Sequence, residues 1–220
     1  MIAVQTDYPV AMDSPDRLHP WGTVNDNSSN RYFVRRLIEL HGGSVSVLDL
    51  GCAGGKFVRK LVGKGQFAVG VEGSDINRRR GRAEWNVIPE HLFTADITKP
   101  FTVQEGAVAR RFDVVTAWEV LEHIREADLA QVFANVRNHL NEQGLFIGSI
   151  STNSDRPIGW ELHQTIQPMP WWMHRLAQGG FRFDPLVVDF FGTDWVRGPN
   201  HGAPNSFNFA CRCVDSAATG

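Results

Sequence analysis

Residues 47–57 read VLDLGCAGGKF, an apolar run carrying Asp49, three glycines within five residues, and then the start of a helical pattern. A strand that feeds a glycine-rich turn onto a helix N-terminus is how an α/β protein commonly builds a nucleotide-sized site. The glycines fall at Gly51, Gly54 and Gly55, giving D-x-G-x-x-G-G. That is not the G-x-G-x-x-G expected of a dinucleotide pyrophosphate site. The next apolar run, Phe67 to Glu72, closes on an acid at about the distance where such folds place a ribose-binding carboxylate. The null alternatives are a helix-capping Asp49 and a solvated Glu72.

The rest of the chain repeats the strand–helix alternation. A helix is expected from Ser28 or Ser29, with Phe33, Leu37, Ile38 and Leu40 on its apolar side, stopping at Gly42-Gly43. Further strands are expected at 45–50, 67–72, 91–95 and 111–118, and helices at about 57–63 and 75–85. Leu129, Val132, Phe133, Val136 and Leu140 carry the strongest helical period, which Gly144 is expected to end before a strand over 145–150. A long connection, 151–169, leads to a helix opened by Pro170 and closed at Gly179-Gly180. Two final strands, about 183–191 and 206–214, have no helix read between them and so should pair antiparallel. In the last, Phe207, Phe209, Cys211 and Cys213 alternate onto one face, which reads as packing and not as a metal pair. The expected fold is α/β: a doubly wound, Rossmann-like, seven-stranded sheet, mostly parallel with an antiparallel last strand.

At 220 residues, the chain is long enough for one well-buried core and too short for two comfortable domains. Residues 1–27, with Pro9, Pro15 and Pro20, read as an extended arm or lid on a domain spanning 28–214, with a flexible tail at 215–220. A net charge of −2 supplies no broad attraction for phosphate backbones and counts against a nucleic-acid partner. The Arg78-Arg79-Arg80-Gly81-Arg82 run reads as a solvated helix face. No run of about 18 apolar residues is present to span a membrane, and there is no signal-peptide pattern. Three cysteines do not make a disulfide framework, so a reducing cytoplasm is the simplest location.

Between Val45 and Gly180 the fragments VLDLGCAGG, VGVEGS, TADI, FDVVTAWEVLEHI and LNEQGLFIGSI occur in order. Taken together the chain resembles the class I S-adenosylmethionine-dependent methyltransferases, of the bacterial small-molecule or glycan-associated type. The resemblance implies S-adenosylmethionine as cofactor and S-adenosylhomocysteine as product. It puts Asp49 and Gly51 by the methionine moiety, Glu72 on the ribose, and Asp96 and Ile97 on the adenine, with Cys52, Ala53, Gly54, Gly73 and Trp118 completing the cofactor set. Asp96 before Ile97 also reads as an ordinary turn aspartate.

Methyl transfer from a sulfonium asks for alignment and dehydration, plus a base when the acceptor is a hydroxyl. His123, in WEVLEHI, and His163, in WELHQTIQPMPWW, are the catalytic candidates, because imidazole titrates near neutral pH. Trp171 and Trp172 read as packing. Glu119, Glu122 and His123 at helical offsets 0, 3 and 4, joined by His163, make a plausible ligand set for a divalent metal. That pattern resembles small-RNA 2′-O-methyltransferases and some ubiquinone-pathway O-methyltransferases, and also many family members that bind no metal. The expectation is O-methylation of a small-molecule or saccharide hydroxyl. Its rivals are RNA 2′-O-methylation and a non-catalytic cofactor-binding domain. His19 to Phe33, rich in Asn and aromatic residues, is expected to close over the site.

Overall fold

The computed structural model describes residues 1–157 and 159–214. The tail expected over 215–220 lies outside the described residues. In chain order the elements are β1 (Ile2–Gln5), α1 (Pro15–Leu18), α2 (Trp21–Asn25), α3 (Arg31–Leu40), β2 (Ser46–Leu50), α4 (Lys56–Val62), β3 (Phe67–Glu72) and α5 (Ile76–Arg80). They continue with β4 (Leu92–Thr94), β5 (Thr102–Glu105), β6 (Val108–Ala109), β7 (Phe112–Trp118), α6 (Leu129–His139) and β8 (Leu140–Ser151). The chain closes with α7 (Met169–Gln178), β9 (Phe181–Phe183), α8 (Pro185–Phe191) and β10 (Ser206–Cys213).

Seven strands form one sheet in the order β4-β3-β2-β7-β8-β10-β9. The first five run parallel, and β10 is antiparallel to both its neighbours. Side chains alternate between two cores, one on each face. Leu48, Val69, Val71 and Val115 pack with α6 and α7 residues such as Phe133 and Trp172. Val47, Ala68 and Val114 pack with Phe33, Phe57 and Phe191 from α3, α4 and α8. A sheet covered on both faces explains why its strands read as nearly continuous apolar runs. Phe207, Phe209 and Cys211 are buried in the first core, with Cys213 packed against it. Trp172 is fully buried there too. Among the described residues no helix is long and apolar enough to cross a membrane.

Several boundaries differ from expectation. The segment read as a strand over 183–191 is a three-residue strand followed by α8. Asp184 caps that helix by accepting from Val187 N, and Pro185 occupies its first turn, two start signals that outweigh the β-branched composition. The helix expected over 75–85 stops at Arg80, because Gly81 takes a left-handed φ of 55° and a 3₁₀ turn follows. α6 ends at His139, not at Gly144. Its successor β8 pairs Leu140 with Phe112 and then Leu145 with Val114, so residues 141–144 bulge out of the ladder. The helix expected from Ser28 or Ser29 is capped by Asn30. The arm also holds an unexpected strand: β1 pairs antiparallel with β5, which pairs with β6, in a separate three-stranded sheet.

His139 locks this second sheet to the first. Its Nδ1 donates to the Asn135 carbonyl at 2.7 Å, and its Nε2 accepts from Val103 N at 3.1 Å. Burial holds its pKa below the ordinary histidine value. A folded pKa below the unfolded one means that the stabilisation is present above about pH 6.5 and is lost as pH falls through the folded value. His139→Phe should therefore cost about 1–3 kcal/mol at pH 7.5, from the unpaired Val103 N–H. It should also lose less stability than wild type on acidification to pH 5.5, as read by urea unfolding at the two pH values.

Candidate active site

The site is built where β2 and β3 end. Gly51 leaves β2 at φ 69°, and a Cβ there would sit 2.4 Å from Val120 Cγ2, so only glycine fits. Gly51 N and Cys52 N both donate to Val71 O. Ala53 takes a left-handed φ of 44°, an uncommon conformation for a residue with a side chain. It is held from both sides: its N–H donates to Glu72 Oε2 at 2.9 Å, while its carbonyl accepts from Asn77 Nδ2 at 3.1 Å and Trp85 Nε1 at 2.8 Å.

The arm closes the far side of this turn. Gly54 N donates to Asp26 O, and Lys56 N donates to Asn27 Oδ1 at 2.9 Å. A Cβ on Gly54 would lie 2.5 Å from that same Asn27 oxygen. The second glycine thus admits the arm. Asn27 also occupies the first turn of α4, whose N–H groups would otherwise attract a phosphate.

A cavity of about 470 Å³ opens beside the turn, with Gly51, Ala53, Glu72, Gly73, Asp96, Ile97 and Trp118 in its wall. Asp49, Cys52 and Gly54, expected with them, do not line it. Asp49 is buried beneath the turn and accepts from Thr116 Oγ1 at 2.7 Å. Burial raises its pKa to about 7. The Cys52 side chain faces the Gly70 Cα. Glu72 is buried, which raises its pKa, and its Oε1 accepts from Ser74 N at 3.0 Å. Each carboxylate oxygen has a second lone pair to offer a ligand. Asp96 Oδ1 accepts from Thr98 N and Oγ1. The arm roofs these strand ends, because Ala11 N donates to Gly73 O and Asp96 N donates to Tyr8 O.

At the other end of the cavity the helix expected for E-x-x-E-H is absent. Glu119 sits at φ 54°, and only Leu121–His123 form a 3₁₀ turn. Glu119 lines the cavity apart from a cluster made by Glu122, His123 and His163, whose ligand atoms lie within 4.8 Å of one another. Glu122 is fully buried. Its Oε1 accepts from Ser151 N at 2.7 Å, and its Oε2 has no partner. Burial, reinforced by Glu119, pushes its pKa up to about 8.

The two histidines diverge, although their rings meet edge-on at 4.6 Å. Burial opposes charge on His123, but Asp16, whose Oδ2 lies 2.9 Å from Nδ1, outweighs it together with Glu122 and raises the pKa to about 9. Burial and the charge of His123 push His163 down. The Nδ1 of His163 donates to the Asn153 carbonyl, which fixes Nε2 as the nitrogen able to take a proton. The loop carrying it is tied by Glu161, which accepts from Asp155 N and His163 N at 3.0 and 3.1 Å. Asp16, Asn153 and Glu161 had no local sequence signature, whereas Asn27 lies in the Asn-rich stretch expected to close over the site. Each acts through a partner distant in the chain or through loop geometry.

A family model described as "Methyltransferase domain" matches residues 21–186. A curated ubiquinone biosynthesis O-methyltransferase from Glaesserella parasuis is 29% identical over 111 residues, covering 48% of this chain and 45% of that protein. The chain therefore spans less than half the length of that relative. Among solved structures, an S-adenosylmethionine-dependent methyltransferase from Clostridium acetobutylicum aligns with TM-score 0.59 and 16% identity, over 90% of this chain and 97% of that one. A 1,6-didemethyltoxoflavin-N1-methyltransferase from Burkholderia thailandensis aligns with TM-score 0.57 and 17% identity, over 84% and 78%. These structural likenesses speak to the fold.

Gly51→Ala should destabilise the protein by about 1–3 kcal/mol, since the new methyl meets both Val120 and a left-handed backbone. Thermal unfolding would show this; an unchanged midpoint would mean that the turn relaxes freely.

Proposed function

We propose, from the premise that the chain belongs to the methyltransferase-domain family and is an S-adenosylmethionine-dependent enzyme, that it methylates a hydroxyl oxygen of a small molecule or saccharide. The observation that carries the choice of oxygen is His163: it lines the cavity, its Nδ1 is committed to Asn153, and its depressed pKa keeps Nε2 free to receive a proton.

The cavity fits the cofactor on chemical grounds. Asn27 occupies Lys56 N at the start of α4, which disfavours a pyrophosphate there, and S-adenosylmethionine carries none. In this reading Glu72 accepts from the ribose hydroxyls, Asp96 and Ile97 receive the adenine, and the Gly51, Ala53 and Gly73 backbone with Trp118 lines the remainder. Asp49 acts from below by holding β7 through Thr116. The bound cofactor supplies an electrophilic methyl group on a sulfonium. His163 Nε2 takes the acceptor's proton, while cationic His123, neutralised by Asp16, is unsuited to that task at neutral pH and instead tethers the arm. The arm excludes water from the site as a cover. Asp13, Asp16, Asp26, Asp128 and Asp155 in the cavity wall disfavour a polyanionic acceptor such as RNA. The proposed location is the cytoplasm.

The Glu122–His123–His163 cluster favours a second reading, in which a divalent ion assists. The buried, unpartnered Glu122 Oε2 fits an ionic ligand role, and the ion would act as a Lewis acid on the acceptor oxygen. Glu119, expected in that set, lies outside the cluster.

His163→Asn should lower kcat by about 10²–10⁴-fold while leaving S-adenosylhomocysteine affinity within about twofold. Retained kcat would remove the proton-acceptor role. Activity lost to a chelator and restored by Mg²⁺ would select the metal-assisted form, and indifference to chelation would dismiss it.

A further inference from the structure

A groove of about 560 Å³ adjoins the main cavity. The two share Asn153 and Asn205 in their walls, and Asn153 is the residue whose carbonyl orients His163. The shared rim is held by Thr152, whose N–H and hydroxyl both donate to Asn205 O. The groove therefore shares a rim with the cavity, at the end that holds His163.

Its chemistry differs from that of the cavity. Thr152, Ser206 and the amides of Asn153, Gln167 and Asn205 supply hydrogen bonds, while Ile166, Pro168, Met169 and Phe207 supply apolar surface. Ile166 and Met169 are 42% and 41% exposed. Among the described residues no charged side chain lines the groove, whereas the cavity wall carries carboxylates, Lys99, Arg125 and Arg197. The cavity itself is near the lower end of the sizes that hold one small ligand. Once the cofactor fills it, only the reactive end of an acceptor fits, and the remainder leaves past Asn153 and Asn205.

We infer that this groove binds the distal half of the methyl acceptor, and that the acceptor is an elongated, uncharged amphipathic molecule. Its polar, hydroxyl-bearing end meets the amides at the rim, and its hydrocarbon end lies on Ile166 and Met169. This inference rests on the proposed function of the adjoining cavity.

The test uses the full chain with ¹³C-methyl methionine, saturated with S-adenosylhomocysteine, whose binding is first read by calorimetry. Octyl glucoside and octyl phosphate, both below micelle formation, are then titrated while the Met169 methyl signal is followed, with exposed Met12 as the control for non-specific contact. The inference predicts a saturable Met169 shift with octyl glucoside and no shift of Met12. It predicts at least about tenfold weaker binding of octyl phosphate, and about tenfold weaker octyl glucoside binding by Met169→Glu. Absence of the Met169 shift on protein that binds S-adenosylhomocysteine overturns the groove assignment alone. Equal or tighter binding of octyl phosphate, or no effect of Met169→Glu, overturns it too. A Met169 signal that responds only to protein concentration would give the groove to a second copy of the chain. Failure to bind S-adenosylhomocysteine would instead strike the reading of the cavity.

Discussion

One hydrogen bond organises this end of the molecule: Glu72 Oε2 accepting from Ala53 N. It ties the tip of β3 to the turn after β2, and it holds an alanine in a left-handed conformation that the sequence alone would not choose. Asn77 and Trp85 hold the same peptide from its carbonyl side. Left-handed backbone at a non-glycine residue persists only where its surroundings over-determine it. Here the over-determination fixes the cavity wall, and the carboxylate that does it itself lines the cavity.

The arm extends that constraint. Asp26 accepts from Gly54 N and Asn27 from Lys56 N at the start of α4, Ala11 and Tyr8 roof β3 and β4, and Asp16 charges His123. The first N–H of α4 is thereby already occupied by the arm. The same Asp16 separates the two histidines electrostatically. His123 is held cationic by Asp16, and His163, beside it, is pushed toward its neutral form. Groups whose environments push their pKa values apart are the ones that take distinct acid and base roles.

The sheet was legible because its strands are buried on both faces, so Val47–Leu50, Phe67–Glu72 and Phe112–Trp118 announce themselves as apolar runs. Part of what was illegible depends on partners far apart in sequence, and part on local backbone geometry. β1 is four residues long and pairs with β5 a hundred positions away, too short for any period to register. Glu119, Glu122 and His123 have helical spacing but no helix, because a left-handed Glu119 redirects the chain and removes it from the histidine cluster. Gly54 carried the right motif, and the space its missing Cβ leaves is taken by Asn27. α8 could have been read from Asp184-Pro185, where capping chemistry should have outranked apolar composition.

Calorimetry of the intact chain tests the central claim most directly. The account predicts one S-adenosylhomocysteine bound per chain, about tenfold or greater weakening in Glu72→Gln, where a charge-assisted acceptor is lost, and no heat with the pyrophosphate-bearing cofactor NAD. Well-folded protein that gives no heat with S-adenosylhomocysteine, or that binds NAD as well, would contradict it.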